Sequence, residues 1–384
     1  MSQTITNPFI VNGEIPDAYF CDRQEETTRL LEHIQNRRNV LLTSPRRMGK
    51  TGLIAHTFQK KEIQDVYYTF FVDILQTSSL RELTYAFGQQ IFETLKPMSK
   101  KMTDLFLQTV RSISGAFGFD PVTSMPTFNL SLGAIQNPEY TLEEIFRYIN
   151  LADKPCLIAI DEFQQITRYG EKNIEALLRH HIQHSKNAIF IFAGSERHIL
   201  DEMFNSYARP FYASTTPLSL EKIPQPTYSA FVNEHFREFG KEVKDEAIAY
   251  AYNLFGGNTY CIQRTFNQAF GKTPQGAICE LDDVLKAIDT ILLELEHTYR
   301  LRLSMLTPSP KELLIAIAKD GAAEHLTSGA FIRKHHLSST SSVQSAVKQL
   351  LAEDWITFHA NDSGQRTYSL TDPFLTLWIR KYFG

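Results

Sequence analysis

The sequence predicts an α/β unit with a parallel sheet flanked by helices, then an all-α unit, and then a C-terminal winged helix-turn-helix. Up to residue 223, short apolar runs alternate with helical patterns, as in parallel sheets with crossover helices. From 224 to 304, helical patterns follow one another without strands between them. Residues 305–384 carry three short helical patterns and then two strand-like runs. We therefore expect three domains, 1–223, 224–304 and 305–384.

The composition indicates a cytoplasmic protein with ample hydrophobic cores. Of the 384 residues 43% are hydrophobic, and the net charge of −4 argues against a protein whose whole surface grips nucleic acid. The four cysteines are scattered without a C-x-x-C pair, so neither a disulfide framework nor a zinc site is expected. No apolar run approaches the ~18 residues of a membrane span. We expect no contact with membranes.

Residues 44–51, with the letters SPRRMGKT, have the pattern of a phosphate-binding loop. They lie between an apolar run and a helical pattern, the strand–turn–helix context that such a loop requires. Lys50 would reach the β- and γ-phosphates of a nucleotide, and the Thr51 hydroxyl would ligate Mg²⁺. Ser44 stands where the usual pattern has its first glycine. The residues expected to contact the nucleotide are Ser44, Pro45, Arg46, Arg47, Met48, Gly49, Lys50, Thr51 and Gly52.

A second apolar run, 156–160, ends in the adjacent carboxylates Asp161 and Glu162. A buried pair of acids is costly without a cation, so packing alone does not explain the pattern. With Mg²⁺ and a nucleoside triphosphate, Asp161 would hold the metal directly or through water, and Glu162 would polarise the attacking water. The pair favours hydrolysis by water over transfer to a second substrate.

A third apolar run, 188–193, leads to Gly194 and Ser195. From the tip of a neighbouring strand, Ser195 would sense the γ-phosphate. The alternative is that Ser195 caps the next helix, and the two roles are compatible.

The N-terminal segment contains turn formers and aromatic residues before its first helical pattern. One interpretation places Phe9 or Phe20 against an adenine, with Arg23 and Glu26 fixing the loop. The other is a simple helix start with Asp22 as N-cap. The residues by themselves leave both interpretations open.

The third helix of the winged helix-turn-helix would enter the major groove if this module binds DNA. Basic and acidic side chains are nearly balanced in this region, which argues for weak DNA binding or none. Since winged helices also dock proteins and cover ATPase sites, a protein-contact or autoinhibitory role and DNA contact both stay open. The side chains expected to be exposed for contact are Ser341, Gln344, Ser345, Lys348 and, on the hairpin, Arg366.

Taken together, these motifs resemble the archaeal-type P-loop ATPases, which are close to the STAND and AAA+ ATPases, over essentially the whole chain. The Arg46-Arg47-Met48 filling of the loop is the most specific similarity. The resemblance implies a P-loop NTPase core, a helical lid, and ATP with Mg²⁺ as cofactors. It also implies adenine recognition by the entry motif that contains Phe20, Asp22 and Arg23. Further similar segments are Asn7-Pro8-Phe9, Ile160-Asp161-Glu162-Phe163-Gln164, Gly194-Ser195, Asp372-Pro373-Phe374 and Trp378-Ile379-Arg380.

Two departures from the family pattern concern hydrolysis rather than nucleotide binding. Family members often carry a glycine-arginine pair, a candidate arginine finger, after the aromatic residue near Tyr212, and here Ala213-Ser214 stand instead. Arg209 is the candidate replacement. The Gly-x-Pro of the lid is Gly257-Asn258-Thr259 here. Both departures predict turnover that is weak or depends on a partner.

The expected function is that of a Mg²⁺-dependent ATP hydrolase acting as a nucleotide-controlled switch. ATP would close the lid on the core and hydrolysis would release it, so the nucleotide state would control what the winged helix presents. The expected partners are ATP or ADP and a protein or a second copy of the chain, with DNA a candidate for residues 305–384. The alternatives are a DNA-binding ATPase in regulation, replication or mobile-element biology, and an ATP-stabilised scaffold that does not hydrolyse ATP.

Overall fold

The structure of the chain is a computed structural model. It describes residues 6–384 except 14, 96–99, 114, 116, 120–125, 129 and 361–363, and only the backbone of 100–103, 117–119, 126–128 and 360. The chain forms two compact units: Glu14–Lys222, and the segment ending at Gly13 together with Ile223–Gly384. The elements of the first unit are α1 (Gln24–Gln35), β1 (Val40–Thr43), α2 (Lys50–Gln59), α3 (Lys61–Gln64), β2 (Tyr68–Asp73), α4 (Leu80–Thr94), α5 (Lys100–Thr109), β3 (Phe117–Phe119), β4 (Pro126–Phe128), α6 (Pro138–Asn150), β5 (Cys156–Asp161), α7 (Ile174–His184), β6 (Ala188–Gly194), α8 (Arg197–Asn205) and β7 (Thr216–Ser219).

Five parallel strands form the centre of the first unit, in the order β2-β5-β6-β1-β7. Side chains alternate between the two faces of the sheet, and both faces are buried. On β5, Ile158 and Ile160 join the core formed with α4, α6 and α7, whereas Leu157 and Ala159 join the core formed with α1 and α2. Burial on both faces explains why the strands are nearly continuous apolar runs. The predicted parallel sheet flanked by helices is confirmed.

The strand order brings three strand ends next to one another. Strand β6 lies between β5 and β1, and Thr43 at the end of β1 pairs with Gly194 at the end of β6. Because the strands are parallel, their carboxyl ends share one edge of the sheet. The loops that follow β1, β5 and β6 therefore start close together.

The second unit is mainly helical and ends in a winged helix-turn-helix. Its elements are α9 (Gln225–Glu238), β8 (Glu242–Val243), α10 (Asp245–Leu254), α11 (Thr259–Lys272), β9 (Ile278–Cys279), α12 (Leu281–Met305), α13 (Pro308–Asp320), β10 (Ala323–Glu324), α14 (Gly329–Lys334), α15 (Thr340–Ala352), β11 (Ile356–Ala360), β12 (Arg366–Leu370) and α16 (Pro373–Phe383). The stretch predicted as all helical also contains the paired strands β8 and β9. Three antiparallel strands, in the order β10-β12-β11, accompany α13 to α15, so the predicted winged helix is confirmed. Within the described residues, none of the helices combines the length and apolar character that crossing a bilayer requires.

Helix α12 attaches the winged helix to the rest of its unit. The Tyr299 ring on α12 lies 5.8 Å from the Trp378 ring on α16, and the Tyr299 hydroxyl donates to Asp372 Oδ2 at 3.1 Å. Lys381 Nζ on α16 pairs with Asp289 Oδ1 on α12 at 2.7 Å. The winged helix is therefore held to α12 by side-chain packing as well as by the chain itself.

Phe9 belongs to the core of the helical unit. Its side chain is fully buried. Asn7 Nδ2 donates to the Asn267 carbonyl at 2.9 Å, and Asn267 Nδ2 donates to the Phe9 carbonyl at 2.7 Å. The interpretation that placed Phe9 against an adenine is wrong, because neighbouring aromatic rings enclose its side chain. These rings are Phe231, His235, Phe236, Phe266 and Phe270.

Replacing Phe9 with alanine should destabilise the helical unit by about 3–5 kcal/mol, the usual cost of truncating a buried phenylalanine. The physical reason is the loss of the ring that the five aromatic neighbours share. Denaturant unfolding followed by circular dichroism should show a transition at lower denaturant concentration. Phe9→Leu keeps most of the apolar volume and is the matched control, with a much smaller loss. An unchanged transition in Phe9→Ala would contradict the packing role.

Candidate functional site

The loop between β1 and α2 has the backbone shape of an anion site. Gly49 has a φ of +91°, a left-handed conformation that favours glycine, and it directly precedes the first residue of α2. Because Gly49 has no side chain to bond the first amides of α2, these N–H groups are left for an anion. Earlier in the loop, the buried Ser44 hydroxyl donates to the Pro45 carbonyl at 3.0 Å.

Lys50 and Thr51, at the start of α2, meet the carboxylates at the end of β5. Lys50 Nζ donates to Asp161 Oδ1, and Thr51 Oγ1 donates to Asp161 Oδ2 at 2.9 Å. Lys50 Nζ also lies 3.8 Å from Glu162 Oε1. Since Lys50 and Asp161 are only 7% and 5% exposed, their ion pair is almost buried. The cation that two adjacent acids require is thus supplied by Lys50 in this structure.

Glu162 is held by groups from the turn after β5 and from the end of β6. Ser195 Oγ donates to Glu162 Oε2 at 3.0 Å, and Gln164 Nε2 donates to the same oxygen at 2.5 Å. Arg46 Nε, from the loop before α2, donates to Ser195 Oγ at 3.4 Å. The alternative that Ser195 caps the next helix is wrong, because Glu196 occupies the N-cap position of α8.

Arg23 connects the N-terminal side of the unit to the loop. Its side chain is buried, with Nη2 donating to the Met48 carbonyl at 3.1 Å and Nη1 donating to Glu26 Oε1 at 2.6 Å. These contacts agree with the interpretation that Arg23 and Glu26 fix the loop. Asp22 is not the N-cap of α1, since Arg23 holds that position, and both residues have left-handed φ values of +56° and +66°. Arg47, next to Met48, also has a left-handed φ of +64°.

Phe20 and His56 form a stacked ring pair beside the first turn of α2. Their centroids are 4.2 Å apart and their planes differ by 10°. The Phe20 ring lies against Gly52, where an added Cβ would be 3.4 Å from a ring carbon. Burial lowers the pKa of His56, and Lys60 lowers it further, while Asp17, 2.9 Å away, opposes both. Sequence reasoning missed His56, because nothing in its local pattern indicates a ring partner 36 residues earlier in the chain.

Arg209 takes part in a separate group of charges. Its guanidinium pairs with Glu175 on α7 at 2.6 Å and with Glu202 on α8 at 3.3 Å. Burial raises the pKa of Glu175, and the Arg209 charge opposes that shift. The role of Arg209 as a replacement for the arginine finger stays a prediction.

Sequence reasoning also gave no role to Gln164, Glu196 or Arg168. Gln164 Nε2 donates to Glu196 Oε1 at 3.3 Å as well as to Glu162, and Arg168 Nη2 donates to both Glu196 oxygens at 2.8 and 2.9 Å. The one available signal is the position of Gln164 within the segment that resembles the carboxylate strand of the family.

A parallel sheet in the order β2-β5-β6-β1-β7, with an anion-binding loop after β1 and paired carboxylates after β5, defines a P-loop ATPase fold. Residues 20–265 match the family described as "ATPase domain predominantly from Archaea". Since this match spans more than half of the chain, the protein belongs to that ATPase family. Residues 297–381 match a family described as "Probable winged helix domain".

Solved structures support the same fold. The Walker-type ATPase PABY2304 of Pyrococcus abyssi is 20% identical, with a TM-score of 0.64 over 97% of this chain and 99% of that one. The ORC2 protein of Aeropyrum pernix is 14% identical, with a TM-score of 0.57 over 97% of this chain and 96% of that one. The ORC1 protein of Aeropyrum pernix, solved in complex with DNA, is 13% identical, with a TM-score of 0.55 over 98% and 97%. A comparison with curated protein sequences gives no match.

Proposed function

We propose that this protein is a Mg²⁺-dependent ATPase whose nucleotide state controls what its winged helix presents to a protein partner. The observation that carries the proposal is the group of Lys50, Thr51, Asp161 and Glu162 around the start of α2. It combines a nearly buried ammonium group for phosphate oxygens with a hydroxyl and two carboxylates on one edge of the sheet. Phosphoryl transfer to water needs this combination of charge and positioning more than it needs covalent chemistry by the protein.

The side chains of Thr51 and Asp161 suit a Mg²⁺ ion. Their oxygens are 2.9 Å apart, and Mg²⁺ is usually bound through one or two protein oxygens together with phosphate oxygens. Among the described residues, no cluster of three or more His, Cys, Asp or Glu side chains offers an all-protein metal site. When bound, Mg²⁺ would offset the negative charge of the phosphates. Thr51 and Asp161 are the residues we assign to hold it.

Glu162 is the residue we assign to orient the attacking water. Its Oε2 receives hydrogen bonds from Ser195 and Gln164, which restrict the carboxylate to one position. Its Oε1, 3.8 Å from Lys50 Nζ, is the oxygen we assign to face the substrate. Lys50 would bind the phosphates, and the Phe20–His56 pair beside Gly52 is the candidate wall for the base.

The exposed face of α15 suits a protein partner better than DNA. The side chains expected to be exposed on α15, namely Ser341, Gln344, Ser345 and Lys348, are all at the surface, but Lys348 is the one cation among them. Non-specific DNA affinity depends mainly on neutralising phosphates, and one lysine supplies little of it. DNA remains the second candidate because Arg366 is exposed on β12 and because the fold is shared with an ORC1 protein solved with DNA.

The first test of the proposal is ATP turnover by the purified protein, alone and with double-stranded DNA. We expect Mg²⁺-dependent turnover that DNA does not change. Tight ATP binding without turnover, alone and with DNA, would favour the ATP-stabilised scaffold, because the glycine-arginine pair of the family is replaced by Ala213-Ser214.

A variant carrying both Lys348→Ala and Arg366→Ala separates the two partner classes. If the winged helix binds DNA, this variant should retain less DNA, and the salt dependence of binding should fall by a slope of about 2, roughly one per phosphate contact. Under the protein-partner proposal, neither protein should retain DNA at physiological salt. Lys319→Ala, which removes an exposed lysine of α13, is the matched control. Retention by the wild type that only the double variant loses would overturn the protein-partner proposal in favour of DNA.

A further inference from the structure

Gln164 bridges two carboxylates from neighbouring strand ends. It lies in the 3₁₀ turn Phe163–Arg168 directly after Glu162, and its side chain is 2% exposed. Its Nε2 donates to Glu162 Oε2 at 2.5 Å and to Glu196 Oε1 at 3.3 Å. One amide group thus links the carboxylate after β5 to the residue that starts α8.

The outer end of this link reaches the surface. Arg168, at the end of the same 3₁₀ turn, donates to both oxygens of Glu196 at 2.8 and 2.9 Å. The Arg168 side chain is 42% exposed and the Glu196 side chain 20% exposed. A continuous series of polar contacts therefore runs from exposed Arg168, through Glu196 and Gln164, to Glu162.

The packing around Gln164 shows that its amide is placed for the carboxylates. A Cβ at position 194 would overlap the Gln164 carbonyl oxygen, so Gly194 is what lets the amide lie against β6. That buried carbonyl oxygen has no hydrogen-bond partner among the described residues. An unpaired buried acceptor costs about 1–3 kcal/mol. The chain tolerates this cost at a position where the NH₂ group faces two carboxylates.

We propose that Gln164 is a positioning residue for Glu162, and that the Arg168–Glu196 ion pair sets the position of its amide. The inference rests on the proposed ATP hydrolysis, in which Glu162 orients water. Gln164 and Ser195 both donate to Oε2, so together they fix the direction in which Oε1 points. Breaking the exposed ion pair releases Glu196, loosens the amide and lets the Glu162 carboxylate rotate. The surface at Arg168 is therefore a point from which turnover is controlled.

The test compares Gln164→Leu, Arg168→Ala and Glu196→Gln with the wild type. A 1 Å misplacement of a catalytic group costs on the order of 10²-fold in rate, and we expect a fall of that size in kcat for Gln164→Leu. KM for ATP and the affinity for ADP should not change, because Gln164 does not contact the phosphate-binding loop in the hydrogen bonds described here. Arg168→Ala and Glu196→Gln should lower kcat in the same way but by less.

A double-mutant cycle decides whether these residues act in one series. If they do, adding Arg168→Ala to Gln164→Leu should lower kcat no further, since residues that share a network are not additive. The matched control is Arg147→Ala, which breaks an ion pair with Glu143 at 2.7 Å on the surface of the same unit and should leave kcat unchanged. Multiplicative effects of the two substitutions would overturn the role of Arg168. A normal kcat in Gln164→Leu would overturn the positioning role itself.

Two further readouts separate this inference from its foundation. If Gln164→Leu does not fold, Arg168→Ala and Glu196→Gln, at more exposed positions, carry the test. If the wild type does not hydrolyse ATP, the proposed function fails, and the affinity for ADP with aluminium fluoride judges the positioning of Glu162. Weaker binding of that complex by Gln164→Leu, with unchanged ADP affinity, would support the inference. Equal binding by the variant and the wild type would end it.

Discussion

Replacing Lys50 with alanine should abolish ATP binding at micromolar nucleotide and, with it, all turnover. The Lys50 ammonium is nearly buried between Asp161 and Glu162, and it is the charge assigned to the phosphates. Removing one partner of a buried charge pair costs about 2–5 kcal/mol. The Kd for ATP should therefore rise roughly 30-fold or more. Equilibrium binding of a fluorescent ATP analogue measures this change directly.

The variant also leaves two acids without their cation, so its folding must be checked separately. Lys50→Met keeps the length of the side chain without its charge and should lose ATP to the same degree. Lys61→Ala, an exposed lysine just beyond α2, is the matched control and should bind ATP normally. If Lys50→Met folds and still binds ATP with wild-type affinity, the loop is not the phosphate site.

Replacing Glu162 with glutamine should give a protein that retains ATP but does not hydrolyse it. Glutamine has nearly the shape of glutamate, and its carbonyl oxygen can still accept hydrogen bonds from Ser195 and Gln164. What is lost is the negative charge that polarises water, and positioned acid–base groups contribute typically about 10²–10⁴-fold. We expect kcat to fall within that range while the affinity for ATP stays within a few-fold of wild type. Single-turnover kinetics and ATP retention on a desalting column measure the two quantities.

Glu143→Gln, at an exposed position on α6, is the control for the loss of one carboxylate. Normal ATPase activity in Glu162→Gln would remove the catalytic assignment, whatever the result for Lys50→Ala. Loss of ATP binding in Glu162→Gln would instead show that the carboxylate acts in the ground state.

The features that could be predicted from the sequence are those encoded by contiguous residues. The loop 44–51 was predictable because its strand, turn and helix are neighbours along the chain. The carboxylates Asp161 and Glu162 were predictable because an apolar run that ends in two acids is unusual. The winged helix was predictable because its three short helices and hairpin occur in an unbroken order.

The features that could not be predicted depend on which distant segments pack together. The enclosure of Phe9 involves rings that follow it by more than 200 residues. The contacts of Gln164 require β6 to lie next to β5, and strand order is not written in any local pattern. Local competition also moved a boundary. Helix α6 begins at Pro138, with Asn137 as its cap, because proline suits the first helical position, whereas the cap-like pattern at Thr141 predicts a later start.

The burial of Phe9 in the helical unit has a consequence for the order in which the protein is completed on the ribosome. Asn7 and Asn267, which bond to each other's segments, are 260 residues apart in the sequence. At the usual 5–20 residues per second, roughly 10–50 s separate the synthesis of Phe9 from that of its last aromatic partners. The α/β unit, which is continuous in sequence, is translated in full during this interval. The first apolar side chain to leave the ribosome exit tunnel is thus among the last to be shielded from water, and chaperone contact with the nascent chain should be concentrated there.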